Sequence, residues 1–201
     1  VSVPVIFERT TRNFTLSVAL AIAFAVPEVS AQSADTSSAS TTFQIKGFAP
    51  QVCQLPGQAA VAGAVTNATY SSNIVTLTDF IDSTTAFVKG STLTLKFDRA
   101  MCNYEAYLSL SSQNGGMTSS DAKQAAAGDF LSRVDYTVTA NWGSISNLVL
   151  DTSKAARSVN LQSAGANSGP LTLTFATKDG TVPVVNGNYT DTVTVQIGAK
   201  L

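Results

Sequence analysis

The side chains whose spacing first suggests chemistry are two acids, one Ser-Lys step, two cysteines and a lone tryptophan. Asp79 and Asp82 flank Phe80-Ile81. Paired carboxylates can divide general acid and base work, but three residues apart beside a strand end they are expected to solvate a turn. Ser153-Lys154 contains the parts of a Ser-Lys dyad. Neighbours on an extended chain point to opposite faces, however, so the step reads as a polar loop. Trp142, preceded by Tyr136, has two readings: a sugar-stacking platform, or a plug for the core. The plug is the expectation. Asn67-Ala68-Thr69 and Asn188-Tyr189-Thr190 match the N-glycosylation pattern, which is frequent by chance. No Gly-rich phosphate loop and no EF-hand spacing occurs. No enzyme emerges, and no catalytic, cofactor-binding or metal-binding residue is expected.

Composition narrows the classes further. The 201 residues carry 12 Lys+Arg against 13 Asp+Glu, a formal charge of −1, and no histidine. Without histidine, Ser-His-Asp and Cys-His catalysis, zincin motifs and most zinc sites fall away together. The near-neutral balance, with 12% charged residues, lacks the basic footprint of a nucleic-acid binder. At 44% hydrophobic the chain is too apolar for disorder. Length suits one domain, or two small ones.

The uncharged run Phe14 to Val26 follows Arg9 and Arg12 and is broken by Pro27, with Val29-Ser30-Ala31 beyond it. This is the order of a secretory signal, so residues 1–31 read as a signal peptide cleaved after Ala31. As a helix rising about 1.5 Å per residue the run reaches only ~20 Å, short of the roughly 30 Å hydrocarbon core, so no membrane span is expected. Export changes how Cys53 and Cys102, the only cysteines, are read. A structural disulfide is the expectation in an oxidising compartment, with free or metal-binding thiols as the alternatives.

Residues 32–42 are rich in Ser, Thr and Ala and read as an N-terminal arm ahead of a domain over 43–201. From there period two dominates, the mark of half-buried strands. The first candidate strand opens with Phe43 and Ile45, passes Phe48 and ends at Val52 and Cys53. Ile74 to Leu77, Thr92 to Phe97, Tyr107 to Leu110, Val134 to Val138 and Leu171 to Phe175 follow, and Val193, Val195 and Ile197 form the last. Asn114-Gly115-Gly116, Asp179-Gly180 and Asn186-Gly187 punctuate them as turns. The segment between Cys53 and Ile74 shows no clear strand pattern, and Ser120 to Gly128 is helix-like for a single turn. Many short strands without a parallel-sheet rhythm predict an all-β fold, a single antiparallel β-sandwich.

Four segments together resemble a known family. Phe43-Gln44-Ile45-Lys46-Gly47-Phe48 with Cys53 after it is similar to the first strand of bacterial fimbrial subunits. Ser91 to Phe97, Cys102 and Tyr107 to Ser111 resemble the second-cysteine region of the spore coat protein U domain. Val134 to Val138 followed by Trp142-Gly143 resembles that domain's central segment. Gly187-Asn188-Tyr189-Thr190-Asp191-Thr192-Val193-Thr194-Val195 is similar to its closing strand. The family includes subunits of archaic chaperone–usher pili.

The resemblance implies an immunoglobulin-like sandwich that lacks its last strand, as pilins do. Such a fold leaves backbone edges unpaired and a furrow of core side chains open. A strand from another chain satisfies both. The implied partners are a periplasmic chaperone, an outer-membrane usher and neighbouring subunits in a head-to-tail polymer, with no nucleic acid. The implied location is a cell-surface fimbrium reached through the periplasm, serving adhesion and biofilm formation. The candidate donor strand is the arm, with Ala34, Thr36 and Ser38, or else Ala39 and Thr41, facing inward, extending to Phe43 and Ile45. The candidate acceptor edge is Val193, Val195 and Ile197, opposite the first strand. The alternative is a secreted stand-alone binding module, for glycans or surfaces, that fills the missing strand with residues between Cys53 and Ile74.

Overall fold

A computed structural model describes residues 39–119 and 129–199 of the chain. The signal segment, the arm residues Ala34, Thr36 and Ser38, and the helix-like stretch 120–128 lie outside the described residues. A compact unit spans Gly47–Leu201, and the residues up to Lys46 form a unit of their own.

Twelve strands and no helix occur among the described residues: β1 Cys53–Gln54, β2 Ala60–Val61, β3 Ala68–Ser71, β4 Ile74–Leu77, β5 Ser91–Ser112, β6 Met117–Ser119, β7 Arg133–Val134, β8 Thr137–Trp142, β9 Ile145–Asp151, β10 Ser158–Thr177, β11 Tyr189–Thr190 and β12 Val193–Gly198. All their pairings are antiparallel. The largest sheet is ordered β1-β5-β10-β8-β9, and both β2 and β12 also pair with β5. The long strands β5 and β10 therefore organise the molecule. They run side by side from the Ser158–Ser111 pair to the Thr177–Ser91 pair.

One bulge explains how β5 feeds a single core along its whole length. Leu93 and Leu95 are buried at odd positions, whereas Ala100, Cys102, Ala106, Leu108 and Leu110 are buried at even ones. Period-two alternation cannot change parity without an inserted residue. The insertion is visible in the register, where Leu171 faces Phe97 but Gly169 faces Ala100. Asp98 and Arg99 thus oppose Pro170 alone, so a residue without an N–H sits at a break in the β5–β10 ladder. A second irregularity lies between the Gln162–Tyr107 and Ala166–Glu105 pairs. There Ser163 Oγ accepts from the Ala106 amide at 2.9 Å and donates to the Gly165 carbonyl at 2.7 Å, so the broken ladder keeps its bonds.

The core unites both halves of β5 with β8, β9 and β10. Trp142, 1% exposed, lies inside it with Val138, Leu150, Leu171 and Leu173. Its indole N–H donates to the Ala100 carbonyl at 3.2 Å. Trp142 is therefore the plug, and it offers no face to a sugar. Cys53 and Cys102 face each other in the β1–β5 register and are joined as a disulfide.

Several expectations are corrected. Phe43 to Val52 is not a strand: no residue of 39–52 belongs to one, only Pro50 and Val52 bond to Asn103 of β5, and the described element begins at Cys53. Thr92–Phe97 and Tyr107–Leu110 are two stretches of one strand rather than two strands. The unpatterned segment after Cys53 does pair, through β2 on β5 and the β3–β4 hairpin. That hairpin turns through Ser72 and Asn73, with φ of 50° and 62°, the left-handed pair that a type I′ turn requires.

Candidate functional site

Among the described residues the last strand pairs with one neighbour. β12 pairs with β5 from Val193–Ser112 to Gly198–Tyr107, and its outer edge pairs with no strand among the described residues. In an antiparallel strand alternate residues aim N–H and C=O away from the partner, so this edge presents unused ladder groups. Val193, Val195 and Ile197 share one face and pack on the core, yet remain only half-buried. Fully internal strands behave differently, as Leu171 and Leu173 are almost wholly buried on β10.

A cavity of about 390 Å3 opens where β12 begins, lined by Ile74, Val75, Leu77, Met117, Phe175 and Val193 among others. Phe175, next along the buried face of β10 after Leu173, is half-buried because it lines this opening. An open edge and a partly uncovered apolar floor thus adjoin one another.

The segment before β1 shows a complementary deficit. Phe43 is 84% exposed, Ile45 98% and Phe48 91%. Phe43 and Ile45 are two residues apart, so in an extended conformation both would point to one face. Burial of each such side chain is worth about 1.5–3 kcal/mol, and in this structure neither obtains it.

The start of β12 is held by Asp191. Its Oδ2 accepts from Ser112 Oγ at 2.5 Å, Tyr136 OH at 2.8 Å and the Gly116 amide at 3.1 Å. Its Oδ1 accepts from the amides of Asn114 at 3.0 Å and Thr192 at 2.7 Å. Burial works to raise the Asp191 pKa. The bonds from Ser112, Tyr136 and the Asn114 and Gly116 amides outweigh it and hold the carboxyl below its usual range. Burial, with the Asp191 carboxylate beside it, pushes the Tyr136 phenol up. Ser112 Oγ also accepts from the Gly115 amide at 2.8 Å. One carboxylate therefore ties the end of β5, the following turn and the residue before β8 to the entry of β12.

The residues considered for catalysis have structural employment. Asp79 pairs with Lys89 at 2.5 Å. Asp82 Oδ1 accepts from the amides of Thr84 at 2.9 Å and Thr85 at 2.8 Å, and these bonds hold its pKa down. Ser153 Oγ donates to Asp151 Oδ1 at 2.6 Å, and Lys154 lies 3.7 Å from Oδ2 of the same carboxylate. Asn67, of the first glycosylation match, donates its side-chain amide to the Gly90 carbonyl at 2.9 Å. No group of three metal-ligating side chains exists among the described residues. No described helix is long and apolar enough to cross a membrane.

Of the residues singled out from sequence, Cys53 and Cys102 are joined, Val193, Val195 and Ile197 lie along one strand, and Phe43 and Ile45 stand exposed. The Asp191 cluster and the cavity beside Phe175 were missed. Asp191 did stand in the Tyr189-x-Asp191 segment, but nothing local to it points to Ser112 or Tyr136. Comparison of the chain with family models, curated proteins and solved structures returned no match.

Proposed function

We propose that this chain is the structural subunit of a surface fibre, built by donating the segment around Phe43 and Ile45 to the open edge of β12 in a second copy. The reading rests on one observation. Among the described residues, a single chain carries both a strand edge without a pairing strand, beside an apolar cavity, and a segment outside any strand with alternating, exposed Phe43 and Ile45. Adding a strand would satisfy the ladder groups of β12 and cover Val193, Val195 and Ile197. Donor and acceptor are different surfaces, so the contact is head-to-tail and extends into a polymer. Phe43 and Ile45 together would contribute about 3–6 kcal/mol of apolar burial, whereas Ala34, Thr36 and Ser38 are too small to add much. The spore coat U resemblance gives the same picture: an immunoglobulin-like sandwich short of a strand, kept soluble by a periplasmic chaperone, assembled at an outer-membrane usher, and serving adhesion and biofilm formation.

The test is the double substitution F43D/I45D. Both positions are exposed, so the subunit should fold, form its disulfide and bind chaperone as before, yet make no fibres. Fibres of normal length from this variant refute the donor assignment. Deleting residues 32–42 in parallel measures what the arm adds.

A second reading, a self-sufficient secreted binding module, is favoured by the pairing of β2 with β5. Residues between Cys53 and Ile74 do cover part of that strand's edge. Expression without a chaperone separates the two. A stable monomer supports the module, and degradation or aggregation supports the fibre subunit.

A further inference from the structure

Three of the turns contain an Asn-Gly or Asp-Gly step, the sequence most prone to spontaneous succinimide formation because glycine leaves the backbone nitrogen unhindered. The reaction needs the glycine nitrogen free to attack the preceding side-chain carbonyl, and the structure treats the three steps differently. At Asn114-Gly115, the Gly115 amide is held by Ser112 Oγ at 2.8 Å in a buried bond, and the Asn114 amide is held by Asp191. At Asp179-Gly180, the Gly180 amide donates to the Val88 carbonyl at 2.8 Å while Asp179 Oδ1 is engaged by the Gly90 amide at 2.7 Å. At Asn186-Gly187 neither residue has a hydrogen-bond partner among the described residues. Asn186 is exposed, and both residues lie in a bend outside any strand.

We infer that Asn186 is a site of selective, spontaneous deamidation in the folded protein. The Gly187 nitrogen loses its proton and attacks Asn186 Cγ. A new N–Cγ bond forms, the Cγ–Nδ2 bond breaks, and the nitrogen leaves as ammonia after taking up a proton. Water then opens the succinimide at either carbonyl, giving aspartate or isoaspartate. The product carries a new negative charge. In the iso form it also has an extra backbone carbon, three residues before Tyr189, whose hydroxyl donates to the Val185 carbonyl at 2.7 Å.

The test ages the folded, disulfide-intact chain in mildly alkaline buffer beside a denatured sample, and localises acid and isoaspartate by fragmentation mass spectrometry. In denaturant Asn114 and Asn186 should convert at comparable rates. In the folded chain Asn186 should keep most of its denatured rate, while Asn114 slows at least about tenfold, the factor lost by having to open one buried hydrogen bond. N186Q should remove the folded-state signal. The inference is overturned if Asn114 matches Asn186 in the folded chain, or if folding slows Asn186 tenfold or more.

Discussion

Replacing Asp191 by Asn keeps the size of the side chain and removes the one charge that gathers five donors at the start of β12. Backbone amides sit on both oxygens, Gly116 on one and Asn114 with Thr192 on the other. Whichever way the new amide turns, its NH2 meets at least one backbone N–H that cannot rotate away. The hydroxyls of Ser112 and Tyr136 can turn to relieve part of the conflict, but those amides cannot. An unsatisfied donor costs about 1–3 kcal/mol, and the remaining bonds lose their charge assistance. The sum is a loss of about 2–4 kcal/mol. For a unit of this size, each kcal/mol moves the melting temperature by about 2–4 °C, so D191N should melt about 5–15 °C below the parent. The two proteins are compared in one assay, so the open β12 edge is common to both.

Acid gives the second readout. A carboxyl whose folded pKa is depressed stabilises above its unfolded value, near 3.9, and that stabilisation is lost as pH falls through the folded pKa. The gap between parent and D191N should therefore be full at neutral pH and shrink below about pH 4. Tyr136→Phe removes one of the same bonds, so its effect and that of D191N should fall short of adding by about 0.5 kcal/mol or more. Equal melting at neutral pH, or a gap that acid leaves unchanged, would refute the idea that this carboxylate anchors the strand.

Two further substitutions test the frame. Converting both Cys53 and Cys102 to Ala opens a loop with a sequence separation of 49; the expected loss, about 4 kcal/mol, is measured by urea unfolding. Gly143→Ala should be the most disruptive single methyl in the β8–β9 turn. Its Cβ would lie 1.8 Å from Asn167 Oδ1 at a φ of 53°, displacing a side chain that bonds the Trp142 carbonyl at 2.9 Å. Lost bonds and backbone strain together should cost about 3–5 kcal/mol, read as a fall in thermal midpoint; a change under about 1 kcal/mol would mean that Asn167 is not needed there.

How much was legible in the residues depends on whether the determining contact is local. Alternation is local, so Ile74–Leu77, Val193–Ile197 and the two buried stretches of β5 can be read directly, and with them the all-β class. Parity breaks are not local. β9 escaped notice because Asn147, at a φ of 55°, shifts its buried positions to Ile145, Leu148 and Leu150, which no period-two template matches. Nor does the Ser158–Gln162 end of β10 show a pattern, since both of its faces stay largely exposed.

The opposite failure is equally physical. Phe43, Ile45 and Phe48 have the look of a strand, but a strand needs a partner for its ladder, and none pairs with them among the described residues. Composition and periodicity by themselves determined that the protein is built of strands, that its two cysteines suit a disulfide, and that histidine chemistry is excluded. Only the tertiary structure decided that Trp142 is sealed inside, that Asp191 gathers Ser112 and Tyr136 from distant parts of the chain, and that one edge of β12 pairs with no strand among the described residues. Those outcomes depend on which strands end up adjacent, a property of the whole chain's packing that no short window of residues contains.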